Sequence, residues 1–431
     1  MDLLQIIALL ITLTAGFSYV NHRWLKLPTV IGVMVIALGL SLGLITLDAA
    51  GLPLKAHASD LLRVLDFDKA LMQVMLSFLL FAGALHINLD DLAKQKWPIG
   101  ILASFGVLLS TFLVGGAMYW VFQLLHLDVP FIFCLLFGSL ISPTDPIAVL
   151  GIMKTAEAPK SLETKVAGES LFNDGVGVVI FLVIYEIAIE GHEPSIVHMG
   201  TLFVEEAIGG AILGLVLGWL VYSMLKTVDN YSVEIMLTLA LVMGGYSLAA
   251  ALHMSGPIAM VVAGLLIGNH GRAFGMSDRT REHLDTFWEL IDEILNATLF
   301  VFIGLEVLIL TVKPAFLVAG LIAFPVVLLC RFICVSIPVF ALSKFKVHKF
   351  SPGAVKVMTW GGIRGGISVA LALAIPAMLP AEGGADPIPR DLIVTVTYCV
   401  VILSIMLQGL TIGRVVKGTM TVGSHSDTDS Q

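Results

Sequence analysis

Apolar runs long enough to cross a bilayer alternate along this chain with short polar connections. Runs of about 20 apolar residues read as transmembrane helices, whereas membrane-barrel strands would show short alternating segments. The runs here do not alternate. About thirteen spans are predicted, over roughly 3–20, 29–47, 70–88, 97–125, 131–153, 165–189, 201–226, 231–252, 257–269, 285–311, 314–344, 354–380 and 391–415. The first run begins Met-Asp-Leu-Leu with no basic segment before it, which predicts a retained helix rather than a cleaved signal. After Arg414 the chain turns polar, so a membrane domain over 1–417 is expected to precede a short, disordered cytoplasmic tail at 418–431. The predicted fold class is all-α and polytopic.

Composition agrees with that pattern. Hydrophobic residues make up 58% of the 431 and charged residues 13%, against roughly 25% charged in soluble domains. The net charge of −8 gives no support to nucleic-acid binding. Cys134, Cys330, Cys334 and Cys399 lie in apolar runs at spacings that match no zinc or redox motif, and read as small core hydrophobes. No cofactor is expected.

The connections alternate in charge. One set carries sixteen Lys and Arg, among them Arg23, Lys94, Lys160, Arg272, Lys344 and Arg414. The other carries five: Lys55, Arg63, Lys69, Lys313 and Arg390. The richer side is expected to be cytoplasmic, with the N-terminus outside and the C-terminus inside a cell membrane.

Polar residues inside the spans carry the chemistry. Span 5 reads FGSLISPTDPIAVLG, with Pro143 and Pro146 bracketing Thr144 and Asp145. Proline removes a backbone donor and disfavours helix at the preceding residue. Broken backbone at membrane depth is tolerated only where it lines a cavity or binds something. A plain proline kink capped by Asp145 is the simpler reading, but a cap does not need a carboxylate in the bilayer. Span 12 reads TWGGIRGGISVALALAIP, with four glycines around Arg364. Spans 5 and 12 stand seven apart. If spans 1–6 and 8–13 form two repeats, the repeats are inverted, and paired interrupted helices in inverted repeats point to a transporter site.

Span 6 contains GESLFNDGVG. Residues four apart share a helix face, so Ser170 stacks with Asp174 and Glu169 with Asn173. A buried carboxylate needs a partner. Arg364 is the expected counter-ion of Glu169, which would pin span 6 to span 12. Asp174 has no evident fixed cation. It is therefore the candidate exchange site, able to hold a proton or a metal cation but not both favourably, with Ser170 and Thr144 as neutral oxygen ligands. A buried hydrogen-bond network without cargo is the competing reading of the same residues.

SPTDP, GESLFNDGVG, FVFIGLE in span 10 and WGGIRGG resemble, in order and in position, the prokaryotic sodium/proton antiporters of the NhaP type, relatives of the animal sodium/proton exchangers. The resemblance implies a homodimer in membrane lipid, with a core (about 70–190 and 285–417) containing two crossed, partly unwound helices, and a dimerisation part (mainly 1–47 and 201–269). It implies that Asn173 and Asp174 are the family's Asn-Asp pair and Thr144 and Asp145 its Thr-Asp. Ser170 would be a ligand serine, and Glu169 and Arg364 an ion pair. The Asn-Asp form implies electroneutral exchange of one cation for one proton. Arg331 also matches a family arginine, with Glu289, Asp292 or Glu293 as its possible partner. Some relatives carry a further ligand acid in span 3; here FLLFAGALHINLDD has no carboxylate before Asp90. The implied activity is antiport of Na+, and of Li+, against H+ by alternating access, not enzymatic turnover. K+/H+ exchange is the alternative within transport. An intramembrane protease could also bury two aspartates around a water, but Glu169 and Arg364 have no role in proteolysis. A channel suits a competing carboxylate less well.

Overall fold

In hydrocarbon a backbone must satisfy its own N–H and C=O groups, so apolar runs become helices. The structure is a computed structural model. It describes residues 3–51, 75–146, 149–151, 153, 158–190, 196–308, 310, 313–348, 350–351, 353–376 and 390–428, with no strand among them. The loop cations Lys55, Arg63, Lys69, Lys154 and Lys349 lie outside the described residues.

The helices are α1 (Leu3–Val20), α2 (Thr29–Ala49), α3 (Leu76–Leu85), α4 (Leu89–Lys94), α5 (Lys96–Leu124), α6 (Phe131–Leu140), α7 (Lys160–Tyr185) and α8 (Gly200–Leu225). They continue as α9 (Tyr231–Ala251), α10 (Gly256–Gly271), α11 (Asp278–Glu306), α12 (Pro314–Lys344), α13 (Ala354–Trp360), α14 (Gly366–Leu373) and α15 (Arg390–Thr419). Among the described residues, seven helical stretches are long and apolar enough to cross a membrane, and α3, α6 and α10 are shorter apolar helices. Helix α11 has a charged first half and an apolar second half. The helical backbone after α15 continues to Thr428.

Two apolar clusters hold the helices together. One joins α5, α6 and α12–α15 with part of α2 and the second half of α11. The other joins α3, α8, α9 and α10 with Leu284 and Trp288 from the first half of α11. Helix α3 packs with the 201–269 group, and α2 packs on the larger cluster. Small residues decide both contacts. A Cβ on Gly268 of α10 would stand 2.1 Å from the Leu85 carbonyl of α3. A Cβ on Gly304 of α11 would stand 2.6 Å from Ala37 of α2, and Ser41 Oγ donates to the Gly304 carbonyl at 2.8 Å.

Two helical lines are interrupted in the interior. Helix α6 ends at Leu140, the chain runs without helix through 141–146, and helical backbone returns at 149–151. Helix α13 ends at Trp360 and α14 begins at Gly366. The interruptions meet, with Asp145 N–H donating to the Ile363 carbonyl at 2.7 Å.

Candidate cation site between the two interrupted helices

The α6 interruption is held from two sides. On one side stands α7. Asn173 Nδ2 donates to Thr144 Oγ1 at 2.8 Å, and Thr144 N–H donates to Asn173 Oδ1 at 3.3 Å. Thr144 and Ser170 share a hydroxyl–hydroxyl bond of 3.0 Å. On the other side stands Arg364. Its guanidinium donates to the Ser142 and Pro143 carbonyls, the latter at 3.0 Å. Those carbonyls are orphaned where the helix breaks, and the two N–H groups of one guanidinium nitrogen, Nη1, satisfy them together. Arg364 is itself anchored: its N–H donates to Ser404 Oγ at 3.0 Å, and Gln408 Nε2 donates to the Trp360 carbonyl at 3.0 Å.

This geometry corrects the expected ion pair. Glu169 is bonded to Arg331 of α12, and Arg364 serves the broken backbone instead. Arg331 also donates to the Met358 carbonyl at 3.2 Å, so it joins α7, α12 and α13. The reason is reach. Helix α13 ends before Arg364, and the irregular backbone directs that side chain at the equally irregular α6 interruption. Arg331, on regular helix, is free to face Glu169. The pairing of Arg331 with Glu289, Asp292 or Glu293 is therefore not made among the described contacts. Those three acids line a cavity instead.

The glycines of WGGIRGG make these approaches possible. A Cβ on Gly362 would lie 2.7 Å from Arg331 Nε, and one on Gly365 would lie 2.4 Å from Asp145 Oδ2.

The cavity has a volume of about 780 Å3, within the range of small-ligand sites. Asp174, Asp145 and Thr144 line its deep part. Asp174 is 6% exposed and Thr144 1%. Ser170 and Asn173 stand behind Thr144 and are not among the lining residues. Among the described residues, no hydrogen bond or ion pair holds the Asp174 carboxylate, whereas the neighbouring buried Glu169 is paired with Arg331. At the other end are exposed His86 and Lys160 and half-buried Asp91. Asp91 accepts from Lys94 at 3.0 Å and Lys160 at 3.3 Å, and these two contacts hold its carboxyl below the usual carboxylate range.

Among the buried polar residues of the lining, sequence reasoning missed Asn296 of α11 and Ser368 of α14. Asn296 was legible in spacing: Asp285, Glu289, Asp292 and Asn296 follow one another by four, three and four residues, a single helix face. Ser368 carried no such signal.

Comparison with known proteins agrees with this architecture. The sequence model of the transmembrane sodium/hydrogen exchanger family matches residues 8–418. The chain is 51% identical over 418 residues to the Na+/H+ antiporter NhaP of Pseudomonas aeruginosa, covering 96% of each chain. It is 34% identical over 355 residues to the Na+/H+ antiporter NhaH of Halobacillus dabanensis, covering 81% of this chain and 83% of that one. Its fold is similar to that of the sodium proton antiporter MjNhaP1 from Methanocaldococcus jannaschii, with a TM-score of 0.76 at 20% identity over 97% of this chain and 99% of the other. With a family match across nearly the whole chain, and a fold built around two interrupted helices, the protein belongs to the transmembrane sodium/hydrogen exchanger family.

Proposed function

We propose that this protein is a secondary antiporter that exchanges Na+ for H+, one for one, with the Asp174 carboxylate as the shared site. The observation that carries this reading is the contrast between two buried acids on one helix. Glu169 is committed to Arg331, while Asp174 borders an open cavity beside Asp145 with no fixed partner among the described residues. An ionised carboxylate at membrane depth without a permanent cation requires an exchangeable one. Thr144 and Asp145 add oxygen atoms on the same side of the cavity, and Ser170 and Asn173 hold Thr144 in place. The curated relatives are named Na+/H+ antiporters, one of them at 51% identity over 418 residues, which supports sodium as the cation and supports the transporter reading.

In this mechanism a sodium ion entering from the cytoplasm displaces the proton of Asp174. The loaded site then turns to the outside, where a proton displaces the ion. Alternating access requires that the two faces never open together. The loop charges orient the protein with its C-terminus in the cytoplasm of a cell-membrane setting. A homodimer is the assembly implied by the resemblance.

Purified protein in proteoliposomes with an imposed pH gradient tests this. Sodium, and lithium beside it, dissipates the gradient with wild type, and Asp174→Asn abolishes the response. A response to potassium alone would replace sodium as the substrate. Exchange by Asp174→Asn at the wild-type rate would move the site elsewhere. Unchanged rates under an imposed membrane potential are expected for one-for-one exchange.

A further inference from the structure

One face of α11 runs down the cavity wall. Asp285, Glu289, Asp292 and Asn296 all line the cavity, and at 1.5 Å per residue the series extends about 16 Å. From Glu289 inward, burial increases along it. Glu289 is exposed, Asp292 half-buried, and Asn296 is 1% exposed. Asp285 is already neutralised by Arg272. The face therefore carries acids that are progressively dehydrated and ends in a neutral amide.

That amide is unusual. Neither Oδ1 nor Nδ2 of Asn296 has a hydrogen-bond partner, and the same holds for Ser368 Oγ, which is 1% exposed and lines the cavity from α14. Asn296 stands one turn beyond Asp292, close enough to feel its carboxylate but without a bond of ordinary geometry to it. A buried polar atom without a partner costs about 1–3 kcal/mol. Two such groups, bordering the same cavity as Asp174 and Asp145, are the requirement of a ligand that comes and goes. Amide and hydroxyl oxygens beside a carboxylate are the hard donors an alkali cation prefers.

We propose that Asp292, Asn296 and Ser368 form a second cation station, passed by sodium on its way between the cytoplasmic mouth and Asp174. The inference rests on the antiporter reading. Glu289 and Glu293 attract the hydrated ion to the mouth. Asp292 holds it while water is shed, and the Asn296 and Ser368 oxygens replace lost water before the ion reaches the Asp174 carboxylate. The station sets the sodium dependence of exchange, and the coupled proton is the one bound at Asp174.

The test compares wild type, Asn296→Leu, Ser368→Ala and Asp174→Asn as full-length protein. In proteoliposomes, Asn296→Leu raises the sodium concentration for half-maximal exchange about tenfold, a single decade of affinity, and Ser368→Ala raises it roughly two- to fivefold. Maximal rate falls by less than the half-saturation rises. In detergent, Asn296→Leu melts no lower than wild type in choline chloride, because it removes unpaired buried atoms of similar volume, yet gains less from added sodium chloride. Half-saturation within twofold of wild type for both variants overturns the station, as does a loss of maximal rate at constant half-saturation, the signature of a packing role. If Asn296→Leu does not fold, Ser368→Ala decides by the same criterion. Exchange by Asp174→Asn at the wild-type rate refutes the underlying antiporter site. A silent Asp174→Asn beside unaltered Asn296→Leu and Ser368→Ala refutes the station alone.

Discussion

Arg331 of α12 is bonded to Glu169 of α7 in the protein interior, with side-chain exposures of 9% and 2%. Removing one partner of such a pair leaves an uncompensated charge and costs about 3–5 kcal/mol. Glu169→Leu and Arg331→Met each lower the melting temperature steeply. The double variant Glu169→Leu/Arg331→Met recovers much of the loss, because two apolar side chains can replace a buried pair at little cost. Thermal unfolding of the purified proteins, read as a double-variant cycle, checks this; additive losses would mean that the two residues act independently.

Arg364 presents a contrasting case. Its guanidinium serves two backbone carbonyls at once through one nitrogen, Nη1, whose two hydrogens are fixed in the guanidinium plane and reach further than a lysine ammonium. Arg364→Lys keeps the charge and loses at least one of those bonds, each worth about 1.5–3 kcal/mol when a charged group donates. Exchange in proteoliposomes drops at least tenfold, while Glu169 and Arg331 remain paired and the protein still purifies as a folded species. Full activity of Arg364→Lys would show that charge alone is needed.

Gly365 tests the contact between the interruptions. An added Cβ lands 2.4 Å from Asp145 Oδ2, and either that carboxylate or the backbone must shift. Gly365→Ala therefore raises the half-saturating sodium concentration by about an order of magnitude. Gly362→Ala is milder, because the atom it meets belongs to the long Arg331 side chain. Sodium titrations of the two variants, side by side, give the ranking.

Competition for the Asp174 carboxylate fixes the sign of the pH response. A protonated carboxyl group does not hold the cation, so acidification on both sides slows exchange. In the acid range each tenfold rise in proton concentration calls for about tenfold more sodium to reach half-saturation, by mass action. Sodium titrations at several symmetric pH values check this slope. A rate that keeps rising with acidity at fixed sodium would remove Asp174 as a shared site.

The fold class and the two interruptions were legible because each has a local cause: apolar length for the helices, prolines for α6, and the glycine cluster around Arg364 for the gap between α13 and α14. The candidate residues Thr144, Asp145, Ser170, Asn173 and Asp174 were legible because i, i+4 stacking and a broken helix are also local. Partner choice is not. Glu169 could face Arg331 or Arg364 by composition alone, and only the direction of irregular backbone after Trp360 separates them. Which helices neighbour one another is non-local for a similar reason, since Gly268 and Gly304 select neighbours through contacts across the fold. Asn296 was overlooked because its neighbours are charged and it is neutral, although its register along α11 was visible.

The bond from Asp145 N–H to the Ile363 carbonyl has a kinetic consequence. Irregular segments ordinarily exchange their amide hydrogens quickly. This amide is tied to a second irregular segment inside a low-dielectric interior, where releasing it would strand a donor and an acceptor together. The Asp145 amide will exchange as slowly as the centres of the surrounding helices, and its opening will be concerted with that of residues 361–364. Isotope exchange would record these stretches of non-helical chain, more than two hundred residues apart in sequence, as one cooperative unit.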